Sequence, residues 1–121
     1  MNYTSIEQSK QLLELGLNPE SADMAFMFFN DNGHIVNKVP FVMTGEEAKE
    51  DGMFNYIPCW SVGRLLELIR MSYKIHKNQG NNTITVILEN DIMVFCETNY
   101  VDVCFNTVKW LLENGYIKKG K

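Results

Sequence analysis

The chain has 121 residues, a formal net charge of -4 and 45% hydrophobic residues, which together describe one globular domain able to bury a core without disulfides or metals. The acidic balance offers no broad positive surface to a phosphate backbone and argues against nucleic acid as a partner. No apolar run approaches the roughly 20 residues of a membrane-spanning helix, and the first residues do not resemble a secretory signal. Three cysteines without CxxC spacing indicate reduced thiols. We therefore expect a cytoplasmic protein with no membrane partner.

The first predicted element is a helix over residues 5–15. Thr4 is its predicted N-cap, and Glu7, three residues later, completes a capping box. Gly16 supplies the left-handed residue that ends many helices, and Pro19 prevents any continuation.

A hairpin is predicted next. Residues 24–29 and 34–39 are apolar segments joined by Asn-Asp-Asn-Gly, which is a strong hairpin signal. The first segment is apolar on both faces, so it belongs either in the centre of a covered sheet or in a contact between subunits. Phe26 and Phe28 are therefore candidate interface residues, with core packing as the alternative.

Residues 40–58 show no clear periodicity and are predicted mainly as a surface loop. The acids at its centre are Glu46, Glu47, Glu50 and Asp51. They could bind a divalent cation, but they lack the alternating ligands and central glycine of a calcium loop, so a solvated acidic loop is the simpler interpretation. The length of the loop makes it the best candidate for a functional insertion.

The second helix is predicted over residues 62–73, with Ser61 as its N-cap. Arg64, Arg70 and Lys74 give this helix and its exit a basic character. Such residues could contact a phosphate or an acidic partner; the alternative is the solvated side of an amphipathic helix.

The remaining elements are a polar loop, a second hairpin and a last helix. The hairpin spans residues 83–88 and 92–96, which are rich in β-branched side chains. The helix covers residues 100–114, begins at Asn99 and ends at Gly115; residues 118–121 form a loose basic tail. The whole chain, 1–121, is predicted as one two-layer α+β domain of order αββαββα. About four antiparallel strands in two hairpins would pack against three helices.

The stretch "IPCWSVGRLL" (residues 57–66) places Cys59 just ahead of the second helix. A thiolate near a helix N-terminus is stabilised by the helix dipole, so Cys59 is a candidate reactive thiol. It would need a base, and neither His34 nor His76 is placed beside it by the sequence. The alternative is structural: Trp60 and Leu65 occupy the two positions of a hydrophobic staple, and Cys59 packs beneath them.

Three blocks carry a resemblance: "TSIEQSKQLLELGLNPESADM", "IPCWSVGRLLELI" and "VKWLLENGYIKKG". They resemble a family of small uncharacterised proteins of gut Bacteroidetes, their phages and mobile elements, over somewhat under half of the chain. That family favours leucine at the place of Val62, a small residue at Arg64 and proline at Arg70, and this chain departs at all three. The resemblance implies a small cytoplasmic accessory protein and brings no catalytic residues with it.

No phosphate-binding glycine loop, zinc spacing or Ser/His/Asp constellation is present in the sequence. We therefore expect a non-enzymatic interaction protein without a cofactor, whose partner is another protein or a second copy bound through the first hairpin. The alternative function is a small-ligand binder or minor enzyme that uses the loop at 40–58.

Overall fold

A computed structural model describes residues 2–44, 47, 54–71 and 73–118. It confirms the α+β class and the three helices. Within the described residues the elements are, in chain order, α1 (Ile6–Glu14), β1 (Met24–Phe29), β2 (Phe41–Val42), β3 (Phe54–Cys59), α2 (Val62–Arg70), β4 (Lys74–Asn78), β5 (Thr83–Ile87), β6 (Ile92–Cys96) and α3 (Tyr100–Glu113). Short 3-10 helices at Pro19–Ser21 and Gln79–Asn81 precede β1 and β5.

The N-cap of α1 is Ser5, so the prediction of Thr4 was wrong by one residue. Ser5 Oγ accepts a hydrogen bond from the Gln8 amide at 3.1 Å, and Gln8 Oε1 accepts from the Ser5 amide at 3.0 Å. This is a complete capping box, built with Gln8 where Glu7 was expected. Thr4 cannot serve as the cap because its side chain is fully buried and bonded elsewhere.

The other helix ends agree with the sequence prediction. Ser61 caps α2 and Asn99 caps α3, each accepting a hydrogen bond from an amide three residues later. Gly16 and Gly115 have φ of 94° and 77°, a conformation that L side chains rarely adopt. After each glycine, the next amide donates to the carbonyl five residues before it, which satisfies the end of the helix. Helix α2 ends at Arg70, earlier than predicted, because the chain turns into β4.

The first sheet is antiparallel, with strand order β2-β1-β3. Strand β1 is central, which explains why both of its faces are apolar. Its long partner is β3, in register from Met24 opposite Cys59 to Phe29 opposite Phe54. The prediction of a surface loop over 40–58 was therefore wrong at β2 and β3. Pro58 obscured β3, but β3 is an edge strand, where proline is tolerated. Residues 45, 46 and 48–53 of that predicted loop lie outside the described residues.

The predicted partner of β1, residues 34–39, forms no regular strand. The chain does turn at Gly33, whose φ is +72°, and it returns beside β1. Pairing is limited to one bridge between Phe28 and Ile35. Beyond that bridge the side chain of Asn37 takes the role that a backbone carbonyl has in a strand pair: its Oδ1 accepts a hydrogen bond from the Met27 amide at 2.7 Å.

The second sheet is antiparallel, with strand order β4-β5-β6. Its β5–β6 hairpin matches the prediction, whereas β4 was not predicted: it begins just after the predicted second helix and extends into the segment expected to be a polar loop. Helices α2 and α3 pack on one face of this sheet, and the main buried cluster lies between them; its largest fully buried side chains include Trp60, Leu65, Ile69, Ile84, Val86, Val103, Val108, Leu111 and Leu112. Thus the described residues form two three-stranded sheets in place of the predicted single sheet of about four strands. In the part of the chain that the structure describes, no helix is both long and apolar enough to cross a membrane.

Candidate functional site

Cys59 is held in a buried hydrogen-bonded cluster. Its side chain is fully buried, its Sγ donates to the Thr4 carbonyl at 3.2 Å, and Thr4 Oγ1 donates to Sγ at 3.5 Å. Burial raises the pKa of the Cys59 thiol, and hydrogen bonds from Thr4 and Ser9 offset this only in part. His76 lies in the other sheet, and His34 lies in the exposed turn after β1. This environment opposes a reactive thiolate and supports the packing interpretation.

Ser61 and Asp23 form a second cluster that fixes the start of α2. The Asp23 carboxylate accepts hydrogen bonds from both the amide and the hydroxyl of Ser61. Arg64 Nε donates to the Ser21 carbonyl at 2.6 Å, and its guanidinium also pairs with Glu67 at 2.9 Å. These groups tie the Pro19–Ser21 turn to α2, and no histidine joins the hydroxyl, so the arrangement is structural rather than nucleophilic.

An open cleft of about 340 Å³ lies beside this cluster. Its lining includes Glu20, Asp23, Val42, Thr44, Glu47 and Arg64. The Glu47 carboxylate accepts from the amide and hydroxyl of Thr44, which closes one turn of chain. Among the described residues no group of three or more histidine, cysteine or acidic side chains is placed to hold a metal ion. Glu46, Glu50 and Asp51, which were considered as cation ligands, lie outside the described residues.

The predicted interface residues do not form one surface. Phe26 is 4% exposed and packs edge-on against Tyr3, with ring centroids 6.3 Å apart. Phe28 is half-buried, and both phenylalanines belong to the central strand of the first sheet. Self-association was expected because both faces of this strand are apolar. The central position of the strand in its sheet explains that pattern by packing within the chain.

The predicted basic residues are also divided. Arg64 is engaged with Ser21 and Glu67, whereas Arg70 and Lys74 are exposed. Arg64 and Arg70 are six residues apart on α2, which places them about 120° apart around the helix axis. Lys74 begins β4 on the far side of a turn. No continuous basic patch joins the three.

The structure reveals a different exposed surface, the outer face of the second sheet, which points away from α2 and α3. The register of the two strand pairs brings three rows of side chains onto this face: Lys74, Ile87 and Ile92; His76, Thr85 and Val94; Asn78, Thr83 and Cys96. Ile92 is 59% exposed and Val94 is 62% exposed. The alternate residues of β6, Met93 and Phe95, pack against the core. Strand β6 is thus apolar on both faces while only one face is covered.

Strand β6 is also an edge strand, and its backbone geometry can be assigned. The Leu88 amide donates to the Asp91 carbonyl at 2.9 Å, and the Glu97 amide donates to the Asn82 carbonyl at 3.3 Å. Because hydrogen-bonded pairs alternate in an antiparallel ladder, Met93 and Phe95 direct their N–H and C=O groups to β5. Ile92, Val94 and Cys96 therefore direct theirs to an edge that no other strand of the described residues covers, called here the β6 edge. Asp91 Oδ1 accepts from the Ile92 amide at 2.7 Å.

The other sheet edges in the described part of the chain carry features that discourage strand pairing. Strand β2 has two residues, β3 contains Pro58, and β4 carries Lys74 and Lys77. Short strands, prolines and lysines are the usual means of protecting an edge. Strand β6, with the sequence IMVFC, has none of them.

Sequence reasoning missed this surface although the signal was present. A strand that is apolar on both faces is either central or in contact with another chain, and residues 92–96 are as apolar on both faces as residues 24–29. Periodicity cannot say which of the two strands is central. Strand order decides it: among the strands that the structure describes, β1 has a neighbour on each side and β6 has one.

The β6 edge and the outer face are defined by the geometry of this chain alone. No protein-family model, no curated protein and no solved structure matches it.

Proposed function

We propose that this protein is a non-enzymatic interaction module that binds another protein chain through the β6 edge and the adjoining outer face. The single observation that carries the proposal is the apolar, unprotected edge strand, with Ile92 and Val94 more than half exposed. Exposed apolar edges invite pairing with another chain, and proteins normally protect them unless the edge is used.

Three further points support a binding role over catalysis. The buried thiol of Cys59 is disfavoured as a nucleophile, and Ser61 is used as a helix cap. The resemblance of three sequence blocks to small proteins of Bacteroidetes and their phages agrees with an accessory role in a cytoplasm. Together these support a role at the protein surface over one in a catalytic cavity.

The test is affinity capture with three forms of the protein: the wild type, Val94→Lys and Met71→Lys. Both substitutions replace an exposed apolar side chain, since Val94 is 62% and Met71 is 74% exposed, so neither should unfold the protein. Met71 is the C-cap residue that follows α2 and lies outside the outer face, which makes it the matched control. Thermal unfolding of each variant checks that the fold is kept.

We expect wild type and Met71→Lys to capture the same protein from a lysate of the source organism, and Val94→Lys to lose it. Light scattering on the three purified forms measures their molar mass and so reports whether the partner is a second copy of the chain. Capture that is equal for all three forms, or absent for all three, contradicts the proposed function.

The cleft beside Asp23 supports a second candidate, a small-ligand binder that uses part of residues 40–58. Val42, Thr44 and Glu47 of that segment line the cleft together with Arg64. A ligand that binds only the native state raises the melting temperature. A metabolite screen should then show at least one stabilising compound whose effect is lost in Glu20→Gln; a flat response across the screen rejects this candidate.

A further inference from the structure

We infer that the partner at the β6 edge is an extended segment with alternating apolar side chains and basic residues at both ends, which adds to the second sheet as a fourth strand. This inference rests on the proposed function and specifies the partner class. It follows from the direction of the backbone groups at the edge and from the charges at its two ends.

Backbone geometry selects an extended segment. Val94 and Cys96 offer both N–H and C=O groups outward, and Ile92 offers its carbonyl. These groups repeat every second residue, which only another strand can match, and strand addition to a sheet edge is a common mode of peptide recognition. Partner side chains opposite Ile92, Val94 and Cys96 would lie on the outer face beside them, where apolar or β-branched neighbours are favourable.

Charge selects basic ends. Asp91 and Glu97 immediately flank β6, and both are exposed. Residues 78–108 contain four acidic side chains, Glu89, Asp91, Glu97 and Asp102, and no lysine or arginine. A partner strand with a basic residue at each end would place opposite charges side by side, whereas an acidic strand would be repelled.

The same charges argue against a second copy of this chain. Antiparallel self-pairing centred on Val94 is the register that matches all five residues of β6, with Ile92 opposite Cys96 and Met93 opposite Phe95. That register also sets Asp91 opposite Glu97 at both ends. Like charges directly opposite destabilise a strand pair, so the edge favours a partner of the opposite sign.

The test titrates the intact protein with synthetic peptides. Binding is monitored through the amide signals of Val94 and Cys96 in nuclear magnetic resonance spectra. The probe peptide alternates threonine and valine in its core and carries a pair of lysines at each end. One control peptide has glutamates at the ends, and a second keeps the lysines but has prolines in the core, which cannot pair as a strand. The protein is titrated as wild type and as the Asp91→Lys, Glu97→Lys double variant.

We expect the lysine-ended peptide to shift the two amide signals and to bind about tenfold more tightly than the glutamate-ended one, since two exposed ion pairs are worth roughly one factor of ten. This preference should shrink as salt is added and should reverse in the double variant. The proline peptide should not bind. A single Glu97→Lys variant serves if the double variant does not fold: each peptide then meets one opposite and one like charge, so the preference should disappear.

Three results would overturn the inference. They are binding at the edge without preference for the lysine ends, no binding of any peptide, and a Val94-dependent dimer of the wild type in light scattering. In each case the proposed function stands if capture still depends on Val94, so the two failures are distinguishable.

Discussion

Replacing Thr4 with valine should destabilise the protein far more than the position of Thr4 outside α1 suggests. Thr4 Oγ1 accepts from the Trp60 amide at 3.1 Å, lies 2.8 Å from Ser9 Oγ and donates to Cys59 Sγ. All four residues are fully buried. The hydroxyl therefore ties the N-terminal segment, α1 and the end of β3 together, whereas valine keeps the volume and removes every one of these bonds.

The magnitude follows from the partners that are left behind. The buried Trp60 amide loses its acceptor, which costs about 1–3 kcal/mol. The Ser9 hydroxyl can turn toward a carbonyl of its own helix, so losing its hydrogen bond to Thr4 adds only about 1 kcal/mol. We expect Thr4→Val to lower the free energy of unfolding by roughly 2–4 kcal/mol.

Two matched variants isolate the cause. Thr107 is also fully buried, but its hydroxyl donates only to the Val103 carbonyl four residues earlier, which keeps its helical partner when the hydroxyl is removed. Thr107→Val should therefore cost less than about 1 kcal/mol. Ser5→Ala removes the helix cap and should cost about 1 kcal/mol.

Urea unfolding of all three variants gives the comparison, with the midpoint shifting and the slope unchanged. The reasoning is refuted if Thr4→Val costs no more than Thr107→Val. It is also refuted if Ser5→Ala is the most damaging of the three, because Thr4 would then act only through the cap region.

Further outcomes follow from the same core. Trp60→Ala should lower the free energy of unfolding by about 3–5 kcal/mol, since the ring is fully buried and its Nε1 donates to Ser21 Oγ at 3.0 Å. Trp60→Phe should cost clearly less in the same urea assay, and equal costs would contradict the packing account. A thiol reagent at neutral pH should modify Cys96 quickly in the native protein and reach Cys59 and Cys104 only in denaturant, because Cys96 alone of the three is exposed; mass spectrometry of the labelled peptides checks this, and fast labelling of Cys59 would contradict it. Burial raises the pKa of Cys104 from 9.0 to about 12. Below pH 9 the thiol is protonated in both the folded and unfolded states, and from pH 9 to 12 only the unfolded state loses the proton, so stability should fall across this range. Cys104→Ala should show a smaller fall than the wild type, and an identical pH profile would contradict the assignment.

Local signals in the sequence were sufficient to place the helix ends. Ser61, Asn99 and Gly115 act within one turn of chain, so their roles do not depend on the rest of the fold. The cap of α1 was misplaced because Thr4 and Ser5 are both good caps. Only the burial of Thr4 against β3, far away in sequence, decides between them.

Strand pairing was predictable only where it is local. The β5–β6 hairpin closes over a short turn and was found, whereas β1 pairs mainly with β3, across a long intervening segment. The Asn-Gly turn after β1 favoured a local hairpin, and Pro58 argued against a strand at residues 54–59. The tertiary arrangement overrode both signals, and the predicted interface at Phe26 became part of the core as a result.

The measurement that most directly tests the central claim is amide hydrogen exchange along β6 in the free protein at a concentration where it is monomeric. If β6 is a free edge, the amides of Met93 and Phe95, which face β5, should exchange slowly, and those of Val94 and Cys96 should exchange fast. Equal and strong protection of all four amides in the monomer would mean that the edge is already covered within the chain, and it would contradict the account.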